Sequence, residues 1–196
     1  MKIRHWLFSI IIGGLFISQP GWGQDTGAAA TGLPLDQIIQ KVENRYEVPG
    51  FTANFYQVST IKAMEISDEA SGKIYVKRPG MMRWEYEKPE PQIIIANGKK
   101  LWIYRPEDNQ VMVGGAPDFF GDGKGAGFLA DIKLLRRKFD ISLLKDADPQ
   151  SYALKLTPLE NTLDVSEIHL NVSRATLVIQ RVVTYNPYRD EKLIYL

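Results

Sequence analysis

The chain contains no cysteine. That excludes a disulfide framework, a thiol nucleophile and thiolate metal ligation, and with them the acylated cysteine that anchors a bacterial lipoprotein. Histidine is scarce too, only His5 and His169. His169 lies in the run Ser166-Glu167-Ile168-His169-Leu170-Asn171-Val172, on the polar side with Glu167 and Asn171. It reads as a solvated strand residue rather than a general base. One histidine in the folded part and no cysteine leave the usual zinc sets and the Cys/His or Ser/His/Asp arrangements without their parts. No metal or cofactor is expected, and no enzyme.

Long apolar runs are missing as well. The longest, Trp6 to Ile17, falls short of the roughly 20 residues that a membrane-spanning helix needs. Lys2 and Arg4 precede it and small residues follow it, which predicts a signal peptide over residues 1–23 with cleavage near Gly23. The sequence therefore predicts an exported, periplasmic protein. Nor is there a basic excess: losing Lys2 and Arg4 from 24 cations leaves 22 against 23 anions. Nucleic-acid binding, which draws on clustered positive charge, is disfavoured. Gly121-Asp122-Gly123-Lys124-Gly125-Ala126-Gly127 fits neither phosphate-binding fingerprint and reads, after Phe119-Phe120, as a mobile loop. Asn171-Val172-Ser173 matches a glycosylation sequon by chance, inside a strand.

What the chain does have is periodicity. Residues 24–34 form a polar tether without pattern, and a single domain follows over 35–196. Leu35, Ile38, Ile39, Val42 and Tyr46 fall at helical spacing before the stop at Pro49-Gly50. From Phe51 the period becomes two: Phe51/Ala53/Phe55, Ile74/Val76 and Met82/Trp84/Tyr86 each alternate with polar neighbours. Asn97-Gly98, between Gln92–Ala96 and Leu101–Tyr104, predicts a hairpin. Phe128, Leu129, Ile132 and Leu135 return to helical spacing, and further strands run from Lys138 to Leu196. Nine or ten strands joined by short turns predict a mainly β fold, an antiparallel sheet curled into a barrel or half-barrel, with short α-helices.

One stretch carries more. Lys77-Arg78-Pro79-Gly80-Met81-Met82-Arg83-Trp84-Glu85-Tyr86-Glu87-Lys88-Pro89, then Ile93-Ile94-Ile95-Ala96-Asn97-Gly98-Lys99-Lys100-Leu101-Trp102-Ile103-Tyr104, then Asn109-Gln110-Val111, resembles the outer-membrane lipoprotein carrier family, LolA. The resemblance extends from the Leu35 helix through Phe128-Leu129-Ala130 to the strand at Leu177. It implies an open barrel with a helical lid over an apolar cavity. The lid is then formed by the helices at Leu35–Tyr46 (Leu35, Ile38, Ile39, Val42) and Phe128–Leu135 (Phe128, Leu129, Ile132). It also implies that Arg78 gates the lid through backbone hydrogen bonds, and that Met82, Trp84, Tyr86, Ile94 and Trp102 are candidates for the acyl cavity. Alternation alone leaves open whether Trp102 and Tyr104 or Leu101 and Ile103 look inward.

The function implied is a monomeric periplasmic chaperone that holds lipoprotein acyl chains. Its partners would be an inner-membrane ATP-driven exporter and an outer-membrane receptor lipoprotein. A lipid- or lipoprotein-sensing protein or a glycolipid transporter of the same fold is the alternative. A lipid hydrolase would need Ser and Asp to converge on His169. Family members continue past the position of Leu196 through a further loop and strand, so either an unpaired barrel edge or an altered return of cargo to the inner membrane is expected.

Overall fold

A computed structural model describes residues 33–117, 126–145, 148–160 and 162–196. The proposed signal peptide, most of the tether and most of the glycine-rich loop lie outside the described residues. Among the described residues, no helix is long and apolar enough to cross a membrane.

The first element is helix α1, Leu35–Tyr46. Its apolar stripe is buried, with Ile38 fully so and Val42 at 1 % exposure. Strands then follow one another: β1 Gly50–Ile61, β2 Ile66–Lys77, β3 Met81–Lys88, β4 Gln92–Asn97, β5 Lys100–Arg105 and β6 Gln110–Gly115. After a 3₁₀ turn over 126–129 come helix α2, Leu134–Lys138, and strands β7 Phe139–Leu143, β8 Ser151–Pro158, β9 Glu167–Ser173, β10 Ile179–Tyr185 and β11 Glu191–Tyr195. The eleven strands form one antiparallel sheet in the order β6-β5-β4-β3-β2-β1-β11-β10-β9-β8-β7. It is open, with β6 and β7 as its two edges.

This order corrects the expectation of a ragged C-terminal edge. β11 sits mid-sheet, Tyr56 facing Tyr195 on one side and Arg181 facing Tyr195 on the other. The strand count exceeds the expected nine or ten. The second lid helix is also corrected. Phe128, Leu129, Ile132 and Leu135 are all buried, but α-helix begins only at Leu134. Ala126 has a positive φ of 57°, and the chain makes a 3₁₀ turn and a loop before it coils. Burial of an apolar stripe does not require a continuous helix when the backbone carbonyls have another partner, and here they do.

The two halves of the sheet and the lid elements share one apolar core. Ile38, Val42, Phe128, Leu129 and Ile132 pack in the same cluster as Ile74, Met82 and Trp84 from one half and Leu154, Ile168 and Val182 from the other. Residues from opposite ends of a sheet this wide meet one cluster only if the sheet curls, so its concave face is the one beneath the lid. Cross-strand register identifies that face. Phe55, Gly72 and Tyr86 lie in one row, with Ile74, Trp84, Ile94 and Ile103 in the next. Gly72 is required where it stands: a Cβ there would lie 1.9 Å from the Glu85 carbonyl oxygen.

Candidate functional site

The site is the seam between the lid and the concave face. Arg78 opens the β2–β3 turn, directly after Lys77, and its guanidinium crosses to the lid. Nη1 donates to the Ala130 carbonyl at 3.1 Å and Nη2 to that of Leu129 at 3.4 Å. In an unbroken helix those carbonyls would accept from residues 133 and 134. Instead Lys133 N donates to the Asp131 carboxylate and Leu134 N to the Asp131 carbonyl. The break in the predicted helix is therefore what frees two acceptors for Arg78. A guanidinium is suited to this because its fork presents several donors at fixed geometry and never loses its charge.

Two further ties hold the lid. Arg136 of α2 bridges to α1: its Nε donates to both carboxylate oxygens of Glu43 at 3.1 Å, Nη1 reaches the Asp36 carboxylate, and Nη2 donates to the Asp36 carbonyl at 3.2 Å. Glu43 is the buried acid on the α1 face, at 9 % exposure, so this pair fixes the two lid elements to each other. At the far end of α1, the Ile179 amide of β10 donates to the Tyr46 hydroxyl at 3.0 Å, while the Tyr46 ring meets Phe51 edge-on. Burial raises the Tyr46 pKa, which keeps the phenol neutral as that acceptor. Neither Arg136 nor Tyr46 was marked by the sequence motif. The Glu43–Arg136 pairing is 93 residues apart and leaves no local signal.

On the concave face Met82, Trp84 and Ile94 are buried and Tyr86 is half-buried. Phe55, Trp84 and Tyr86 form an aromatic trio, with Phe55 edge-on to Trp84 at 4.8 Å and to Tyr86 at 5.0 Å. Phe55 and Tyr86 face each other across Gly72, whose missing side chain lets the rings meet. Burial pushes the Tyr86 hydroxyl to a pKa of about 12, and that hydroxyl donates to Gln57 Oε1 at 3.3 Å. The buried Trp84 Nε1–H has no acceptor.

Trp102 is a correction. Leu101 and Ile103 are the buried pair, in register with Ala96 and Ile94, whereas Trp102 pairs with Ile95 and Val113 on the opposite face. That outer face carries its own shallow apolar depression of about 690 Å3, lined in part by Tyr75, Met81, Arg83 and Ile95. The lid does not cover it.

The lid's own side chains, Ile38, Val42, Phe128 and Leu129, fill the space over the sheet, each at 1 % exposure or less. Openings lie at the margins. One of about 650 Å3 runs along the seam past Glu43, Arg78, Gly98 and Ile132. Another, of about 280 Å3, lies past Ala126 at the far end of the concave face. His169 is on the outer face beside Glu167, its Nε2 3.3 Å from a Glu167 carboxylate oxygen and its ring edge-on to Tyr185. Among the described residues it does not converge with a Ser/Asp pair on the seam.

The chain is similar to known proteins in sequence and in fold. The family described as "Outer membrane lipoprotein carrier protein LolA" matches residues 46–196. An outer-membrane lipoprotein carrier protein of Legionella pneumophila (strain Corby) is 34 % identical over 143 residues, 72 % of this chain and 68 % of that protein. One from Alkalilimnicola ehrlichii is 29 % identical over 126 residues, 64 % of this chain and only 56 % of that protein's length. Among solved structures, an uncharacterized conserved protein from Thermus thermophilus superposes with a TM-score of 0.52 at 14 % identity, covering 82 % of this chain and 83 % of that one, a likeness of fold. With its sheet, its lid and the match over 46–196, this chain belongs to the LolA family of outer-membrane lipoprotein carrier proteins.

Proposed function

We propose that the protein is a periplasmic carrier, not an enzyme, that takes up the acyl chains of lipoproteins between lid and sheet and surrenders them at the outer membrane. The observation that carries this reading is the pair of hydrogen bonds from Arg78 to the carbonyls of Leu129 and Ala130. A polar clasp over an apolar floor is a device for opening, because either side of the seam is stable against the other and the clasp alone is directional.

Magnitudes support exchange rather than permanent capture. Each fully buried lid side chain such as Phe128 or Leu129 contributes about 1.5–3 kcal/mol to closure. An incoming acyl chain restores apolar burial at about 0.8 kcal/mol per CH2. Displacing the lid side chains and refilling their place with acyl chain therefore leaves a small difference of two large terms. Charged hydrogen bonds of about 1.5–3 kcal/mol each then decide the balance towards the closed, empty form. Cargo held against that bias is poised to leave. In this reading Arg78 is the gate, and Met82, Trp84, Tyr86 and Ile94 are the floor that acyl chains touch. The open Trp84 N–H is a donor for a cargo ester carbonyl. An inner-membrane ATP-driven exporter supplies the work of loading, and an outer-membrane receptor lipoprotein receives.

The test is Arg78→Leu, expressed in the periplasm. Loss of the clasp should leave more lipoprotein co-purifying with the protein, detected by mass spectrometry, and slow its transfer to outer-membrane vesicles. A folded variant that carries less cargo than the wild type would overturn the gate.

A further inference from the structure

The concave face is not uniformly apolar. Beyond the aromatic trio its rows turn polar where β1, β11 and β10 run side by side. Ser59, Lys192 and Thr184 stand in one cross-strand row, and Ile168 continues it. Since Ile194 and Val182 of the next row are core residues, this row shares their face. A polar chain leads to it from the trio: Tyr86 donates to Gln57, and Gln57 Nε2 donates to Ser59 Oγ at 3.1 Å. The opening of about 280 Å3 lies here, with Ser59, Thr184 and Lys192 on its floor and Asp164, Asp190 and Glu191 also in its lining.

Lys192 is the unexplained group. Its side chain is open to water, yet protein surrounds it closely enough that desolvation lowers its pKa, and among the described residues no carboxylate is within ion-pair distance. Four acids stand near the opening, none of them within ion-pair distance of Lys192 among the described residues. The Asp190 carboxylate caps its own turn, accepting from Lys62 N and Asn186 Nδ2. Glu191 belongs to the outer-face row with Thr60 and Tyr185. Asp164 and Asp68 are exposed, Asp164 at the rim and Asp68 opposite Ser59. A cation left in a cavity without a counter-charge is an anion site in waiting, and the two hydroxyls beside it supply further donors.

We propose that Lys192, with Ser59 and Thr184, binds the anionic head of an acyl amphiphile whose chain lies on the floor beneath the lid. The ligand class is a carboxylate- or phosphate-headed acyl lipid. The opening holds such a head with ease, given about 30 Å3 for each water displaced. This rests on the acyl-carrier reading and deepens it: cargo is distinguished by its head as well as its chains.

The experiment measures binding to the full exported chain by calorimetry with three probes of equal chain length: palmitate, palmitoyl lysophosphatidylglycerol and neutral monopalmitoylglycerol. The wild type should bind at least one anionic probe about tenfold more tightly than the neutral one, the tighter of the two identifying carboxylate or phosphate as the head. Lys192→Gln should abolish that preference without changing affinity for monopalmitoylglycerol, and Lys192→Arg should keep it. If the wild type binds all three alike, or Lys192→Gln keeps the preference, the head site is wrong while acyl binding stands. If no probe of either charge binds the wild type, the carrier reading fails, and this inference with it.

Discussion

The two halves of the concave face are built differently. In β8, β9 and β10 most inward residues are aliphatic and sealed, with Tyr152 and Thr184 as exceptions: Leu156, Ile168, Leu170, Val172, Ile179 and Val182 have no exposed surface. In β3 to β6 they include Met82, Trp84, Ile94 and Ile103, at 3–9 % exposure, with Tyr86 half-buried, and the row ends at Met112, 60 % exposed on the free edge. One half is a sealed, mostly aliphatic wall, the other a slightly more exposed floor of aromatic, thioether and aliphatic side chains that ends in open sheet. Soft side chains that fill irregular space are suited to a changing neighbour, and branched aliphatics to a fixed one. The clasp residue Arg78 rises from the turn that leads into that floor.

Predictions follow that contrast from large to small. Leu170→Ala, in the wall, should cost about 3–5 kcal/mol in urea unfolding, because the site has no freedom to collapse. Ile103→Ala, in the floor, should cost nearer 2 kcal/mol, and equal losses at the two positions would break the contrast. Gly72→Ala should cost about 1–3 kcal/mol despite adding a single methyl, since the Glu85 carbonyl occupies the space; an unchanged melting curve would show that β2 and β3 separate there easily. Arg136→Gln should cost about 1–2 kcal/mol, as Glu43 loses its charged partner while Arg136 itself is partly solvated. It should also speed hydrogen exchange in α1 and α2 but not in β8–β10, and uniform exchange would place the clamp outside lid motion. Trp102→Ala, on the outer face, should leave acyl-probe affinity within twofold of the wild type, whereas Trp84→Ala should not.

The smallest effect is one of pH. Burial lowers the His169 pKa more than Glu167 raises it, with Lys155, Arg181 and Arg189 adding to the lowering. The unfolded chain then binds that proton more readily than the folded one. The contribution is complete above the unfolded value of about 6.5 and is lost as the pH falls below it. His169→Gln should flatten the slope of stability against pH just below 6.5. An unaltered slope would mean that carboxylates alone set it.

Much of this fold was written in alternation. The strand pairs 82/84/86 and 74/76 lie on the concave face as their period requires, and Asn97-Gly98 makes its hairpin, with Gly98 at φ +85° and Asn97 Oδ1 accepting from the amides of Lys99 and Lys100. The α1 stripe is buried where the spacing puts it. Trp102 shows the limit. A period of two separates Leu101 and Ile103 from Trp102 and Tyr104 but carries no sign, and the choice came from register against Ile94 and Ala96. The segment from Phe128 to Leu135 shows another. Its helical spacing predicted burial correctly and backbone wrongly, because the carbonyls of Leu129 and Ala130 bond to a guanidinium some fifty positions earlier.

What the sequence determined alone is what local chemistry determines: the classes excluded by missing cysteine and scarce histidine, the alternation that makes a sheet, and the Arg78-Pro79 motif with its family resemblance. The tertiary structure decided the rest. It chose which face of β5 is inside, placed β11 in mid-sheet, brought Arg136 to Glu43 and set Lys192 against Ser59 and Thr184. Those outcomes depend on contacts between residues far apart in the chain, whose free energies exist only once the sheet has curled and excluded water between them.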